Sequence, residues 1–186
     1  MLDKLKPYPL YFIQKASPGK GDAFDFAYIY KFYSERTPRY QRLKYIVHAE
    51  SYEDVFAVKF YAARDRKLDN KYNRIIKAHG YTGAVRTFMS CASAITDLHA
   101  KFPSYSFVVS GAESNDLESD KVEGEENNQR FRIYRTLALQ LFDAKYFFNA
   151  YLCFCKCLIY NILQGFTEGH KFVRGDKLGT AFLQRN

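Results

Sequence analysis

Three arginines, Arg130, Arg132 and Arg135, stand close together in the run Asn127-Asn128-Gln129-Arg130-Phe131-Arg132-Ile133-Tyr134-Arg135. Guanidinium groups present fixed forks of N–H donors, so such a cluster suits a phosphate or a carboxylate. Phe131, Tyr134, Ala138 and Leu141 recur at helical spacing, which predicts a helix over 128–142 capped by Asn127 or Asn128. The arginines then crowd its first two turns, where the helix dipole disfavours cations. Something negative must compensate. One source is the glutamates just upstream, Glu123, Glu125 and Glu126; the other is an external phosphate or carboxylate. Arg130 to Ile133 also alternates as a strand would. Ser110 and Gly111 close the apolar run Ser106–Val109, and with Arg130 and Arg132 they are expected to border a positive pocket.

A second chemistry-bearing pattern interleaves cations with tyrosines. Lys31, Arg36, Arg39, Arg42 and Lys44 alternate with Tyr33 and Tyr40, and Arg64, Arg66, Lys67, Lys71, Arg74 and Lys77 surround Tyr72. Cations track phosphates and tyrosine rings stack on bases, a pairing that suits single-stranded nucleic acid. Loops beside strands also carry lysine and arginine simply to stay solvated. His48 and Glu50 share one face of a predicted strand. They read either as a base with its partner or, more commonly, as a solvated sheet face. No Gly-rich phosphate loop, nucleophile elbow or HExxH pattern occurs, and no cofactor or metal is expected. On a single strand Cys153 and Cys157 would stand about 13 Å apart at Cα, too far to converge with Cys155 on one tetrahedral zinc. Reduced thiols in a cytoplasmic protein are the expectation, with Met89 and Cys91 as core residues.

Length and charge bound what these groups can belong to. A chain of 186 residues holds one domain with a sizeable core. Sixteen Tyr and seventeen Phe with no Trp point to a β-rich interior with tyrosines partly at the surface. The net charge is +8, yet residues 113–126 carry seven acids against one lysine, so the rest of the chain is more basic still. Such a balance attracts polyanions, nucleic acid or an acidic protein surface. The opening MLDKLKPYPLYF lacks the pattern of a secretory leader, and Lys156 and Asn161 interrupt the longest apolar stretch, 146–163. No membrane association is expected.

The elements that must position these groups follow from periodicity. Residues 1–22, with Pro7, Pro9 and Pro18, read as an irregular arm. Alternating aromatics from Phe24 to Phe32 predict a strand, Arg42 to His48 a second and Val55 to Tyr61 a third, the last two turning near Glu53-Asp54. Val85, Phe88, Met89, Ala92, Ile95 and Leu98 form one stripe of a helix over 82–101, with Thr82 as candidate cap. A strand over 104–109 returns to the sheet. Residues 146–162 fit a long strand or a buried helix equally. The expected architecture is a single α+β domain over 1–163, with a mainly antiparallel sheet of about five strands and two main helices. It would carry an acidic loop at 112–127 and end in a poorly ordered tail at 164–186.

Several of these segments resemble a family of small bacterial proteins: VFAVKFY in the hairpin, KYN at 71–73, VRTF in the helix, YSFVVSG, and NNQRFRIYR. The resemblance spans about Tyr45 to Phe142 and fades in the N-terminal arm and the acidic insertion. It implies a shared fold and carries no activity. Three function classes follow from the residues. The first is a basic nucleic-acid- or nucleotide-binding module, of the kind used in bacterial or phage defence and counter-defence. The second is a protein-interaction regulator or inhibitor working through the acidic loop. The third is an enzyme on a phosphorylated substrate.

Overall fold

The structure, a computed structural model, describes residues 5–38, 41–73 and 80–110, and beyond them the strand segments 115–116, 121–122, 147–152, 157–162, 171–174 and 181–184. Four strands form an antiparallel meander: β1 (Tyr11–Ala16), β2 (Phe26–Tyr33), β3 (Lys44–Tyr52) and β4 (Val55–Ala62). Helix α1 (Gly80–Lys101) then carries the chain across to β5 (Ser106–Ser110), which pairs parallel with β4. A parallel neighbour needs such a crossover, because a tight turn can only reverse the chain. The backbones of β8 (Phe147–Leu152) and β9 (Cys157–Ile162) extend the sheet to seven strands in the order β1-β2-β3-β4-β5-β9-β8. Short ladders join β6 (Asn115–Asp116) to β7 (Lys121–Val122), and β10 (Lys171–Arg174) to β11 (Ala181–Gln184).

Several expectations change. The arm at 1–22 is not irregular throughout: Tyr-Phe-Ile-Gln-Lys-Ala, lying between Pro9 and Pro18, pairs with β2 as an edge strand. The prolines bound it without removing a donor from its ladder. Within the stretch 146–162 the described residues form neither one long strand nor a helix but two strands, β8 and β9, paired antiparallel. Only Cys157 of the three alternating cysteines lies in a described strand. One two-residue ladder lies inside the acidic loop, and Lys171–Arg174 pairs with Ala181–Gln184 within the segment expected as a tail. The predicted helix over 128–142 lies outside the described residues.

One face of the sheet packs on α1. Cross-strand rows run Phe12–Tyr30–Val47–Phe60 and Tyr28–Ala49–Val58–Val109, and Phe56 pairs with Phe107. Phe88 and Ile95 of α1 are buried as the stripe requires. Ala92 is only half-buried, and Cys91 and Ala94 take the central position on the sheet side. The helix also starts at Gly80, which puts Thr82 in its first turn instead of at the cap. Phe56 is the hub of this core. Its ring lies within 6 Å of Phe26 (5.9 Å), Phe102 (5.4 Å), Tyr105 (5.1 Å) and Phe107 (5.7 Å). Burying one such ring contributes roughly 2–3 kcal/mol. Tyr30, whose ring is buried in the same layer, keeps its hydroxyl satisfied by donating to Asp97 at 2.7 Å. Burial holds the Cys91 thiol protonated and inert.

The N-terminal segment is fastened to α1 by polar contacts. Tyr8 donates its N–H to Ser90 Oγ at 2.8 Å, and the Arg86 guanidinium lies 4.2 Å over the Tyr8 ring while its Nε donates to the Lys6 carbonyl. Arg86 also pairs with Glu35, which ties the segment to the end of β2.

Candidate functional site

The face of the sheet away from α1 brings together residues that no single stretch of sequence does. The hairpin turn at Glu53-Asp54 sets the register of β3 on β4, so that Ile46 faces Tyr61, His48 faces Lys59, Glu50 faces Ala57 and Tyr52 faces Val55. Alternation along each strand then puts Ile46, His48, Glu50 and Tyr52 on one side with Lys59 and Tyr61. The row continues outward through Lys31 to Tyr11. After β4 the chain runs through a 3-10 turn (Ala63–Asp65) and a second one (Lys71–Asn73), which returns Lys71 and Tyr72 to this face.

Glu50 is the centre. It is only 6% exposed, its Oε2 accepts from Tyr52 Oη at 2.9 Å, and Lys59 Nζ stands 2.5 Å away. A carboxylate that deep in a protein persists only when paired and hydrogen-bonded. The reading of His48 and Glu50 as a solvated face is therefore corrected: Glu50 is buried and held by Tyr52 and Lys59. His48 does not serve as its hydrogen-bond partner; Tyr52 and Lys59 do. Burial pushes the His48 pKa below its ordinary 6.5, and Lys71 and Lys59 push the same way against the pull of Glu50. The imidazole is thus neutral at neutral pH.

Aromatic rings frame the cations. Lys71 Nζ lies 5.2 Å from the ring centroids of both Tyr61 and Tyr72, and Lys59 Nζ lies 5.3 Å from that of Tyr72. Tyr61 and Tyr72 meet edge to face at 5.3 Å, and His48 lies 5.6 Å from Tyr61. Burial raises the pKa of both hydroxyls, so the rings stay neutral over any working pH. At the far corner of this face the Arg42 guanidinium sits 4.6 Å over Tyr33. Cations held at ring faces in this way keep their charge while lying flat on an aromatic surface.

Of the residues singled out in the sequence, Lys71 and Tyr72 fall inside this cluster. Arg64, Arg66 and Lys67 are exposed on the turn that leads into it, Arg64 lying 3.6 Å from Asp65. Among the described residues no carboxylate pairs with Arg66, Lys67 or Lys71. Ser110 ends β5 opposite Cys157 of β9, on the other side of β4. Gly111, Arg130, Arg132 and Arg135 lie outside the described residues, as does the pocket expected between them. Lys59, Tyr52 and Tyr61 were not singled out, although a two-residue turn at 53–54 sufficed to place them beside His48 and Glu50. Among the described residues no three His, Cys, Asp or Glu side chains converge as metal ligands, and no helix is long and apolar enough to cross a membrane.

No family model, curated protein or solved structure matches this chain.

Proposed function

We propose that this chain is a nucleic-acid- or nucleotide-binding module that uses the sheet face opposite α1. The observation that carries the reading is the Lys71 ammonium set between the Tyr61 and Tyr72 rings, with Lys59 beside them. Bases stack on such rings whatever their identity, while the ammoniums and the adjoining Arg64, Arg66 and Lys67 meet the phosphates. A sheet face with half-buried tyrosines favours unpaired bases over a duplex, whose stacked bases cannot reach the rings.

Fluorescence anisotropy with labelled single-stranded and duplex oligonucleotides, across a salt titration, tests this. The single strand binds more tightly, and log K falls with log salt by about 0.7 for each phosphate neutralised. Lys71→Ala lowers that slope by about one phosphate, and Tyr61→Ala weakens single-strand binding by about 1–3 kcal/mol without changing the slope. A salt-insensitive affinity, or Lys71→Ala binding like the parent protein, overturns the reading.

A further inference from the structure

The sheet ends at β1, where three of the five large apolar residues left exposed among the described residues lie side by side. Tyr11, Phe12 and Ile13 are 48%, 52% and 40% exposed, three consecutive residues on a strand whose outer edge meets no other strand among the described residues. An open edge is a template for another strand, and proteins usually blunt it with proline, a projecting charge or a bulge; β1 has a bulge between Phe12 and Gln14 yet leaves Tyr11, Phe12 and Ile13 exposed. This strand holds no proline. Its one charge, Lys15, is drawn back over the Phe26 ring at 4.1 Å and towards Tyr28 at 5.9 Å. We propose that the edge is an interface, and that its occupant is a second copy of this chain, pairing β1 antiparallel to β1 about a two-fold axis.

The register of β1 accommodates a second copy with faces matched. A bulge between Phe12 and Gln14 resets the alternation of β1 against β2. Before it, Tyr11 opposes Lys31 on the face away from α1, and Phe12 opposes Tyr30 on the α1 side. After it, Gln14 opposes Ile29 and Ala16 opposes Ala27 on the outer face, while Lys15 opposes Tyr28 on the α1 side. A two-fold axis perpendicular to the sheet keeps faces matched, so outer residues must oppose outer residues. Centring the axis between Ile13 and Gln14 achieves this over the whole strand. Tyr11 then opposes the partner's Ala16, Phe12 opposes the partner's Lys15, and Ile13 opposes the partner's Gln14. A slip of one residue would set Tyr11 against the partner's Lys15, across faces. In the matched register the only charge on the strand meets an aromatic ring and never its own like. The nearby Lys101, 5.6 Å from the Phe12 ring, is already neutralised by Asp97 at 2.6 Å. The two outer faces would join into one continuous surface with a Tyr11 from each copy at the seam.

Sedimentation of the full chain tests the association, and cysteine pairing tests the register. The parent chain sediments as a species of twice 21.7 kDa. Ile13→Lys places like charges beside the axis and returns it to monomer, with a melting temperature unchanged within a few degrees because the residue is exposed. A one-to-one mixture of Tyr11→Cys and Ala16→Cys chains forms an intermolecular disulfide under mild oxidation, whereas either variant alone, like the parent, does not. Opposed strand residues lie about 4.5–5.5 Å apart at Cα, within disulfide reach. A parent chain that is monomeric up to its solubility limit, a species larger than a dimer, an Ile13→Lys chain that still dimerises, or a mixture that fails to cross-link each overturns the proposal.

Discussion

The Lys59 ammonium stands 2.5 Å from the Glu50 carboxylate, diagonally across the β3–β4 hairpin, with Glu50 buried and Lys59 about one-third exposed at 36%. Removing only the cation leaves a buried carboxylate with Tyr52 alone to satisfy it. Lys59→Met should therefore destabilise the fold by about 1–3 kcal/mol, less than a fully buried pair would lose because water reaches the lysine. Glu50→Gln should restore most of that loss in the Lys59→Met background. Urea unfolding of the two single variants and the double variant measures the coupling. Additive effects would show that the pair does not act as a unit.

Acid should weaken the fold through His48. Burial lowers its folded pKa below the unfolded 6.5, so the unfolded chain binds the extra proton first. The resulting stability is fully present above pH 6.5 and is lost as pH falls from there through the folded pKa. His48→Gln should flatten the stability profile on the acid side of 6.5 and leave the profile above it nearly parallel to that of the parent. Chemical denaturation at half-unit pH steps gives both curves. An unchanged acid slope in His48→Gln would assign it to other groups.

Ser90→Ala should loosen the N-terminal segment. The hydroxyl accepts the Tyr8 N–H at 2.8 Å in a buried setting and reaches the Arg86 carbonyl at 2.9 Å. An orphaned buried N–H costs about 1–3 kcal/mol. Amide exchange should report faster opening at Tyr8 than in the parent, with strands β3 and β4 unaffected. Uniform loss of protection would instead mean that this segment opens together with the whole domain.

Phe56→Leu and Phe56→Ala separate packing from fold. The ring touches aromatic neighbours from β2, β5 and the α1–β5 connection, so truncation to alanine should cost about 3–5 kcal/mol. Leucine fills much of the space and should cost less than half of that. Thermal unfolding compares the two. A loss of under about 1 kcal/mol in Phe56→Ala would mean that the core relaxes into the cavity.

Local pattern carried the hairpin and the helix. Alternating aromatics mark β2, and the turn at Glu53-Asp54 dictates by counting alone that His48 meets Lys59 and that Glu50 lies on the same face. Helical spacing marked Phe88 and Ile95 as buried, because the period of a helix is written in neighbours three and four residues apart. What the sequence could not decide involves partners far along the chain. Alternation says which side a residue takes but not how deeply that side is covered, so the burial of Glu50 came only with the fold. Lys15 became tucked only because β1 pairs with β2, and the bulge that aims it over Phe26 arises from that pairing. Likewise β5 joins β4 in parallel through α1, a choice among strand partners that every apolar strand leaves open until the sheet assembles.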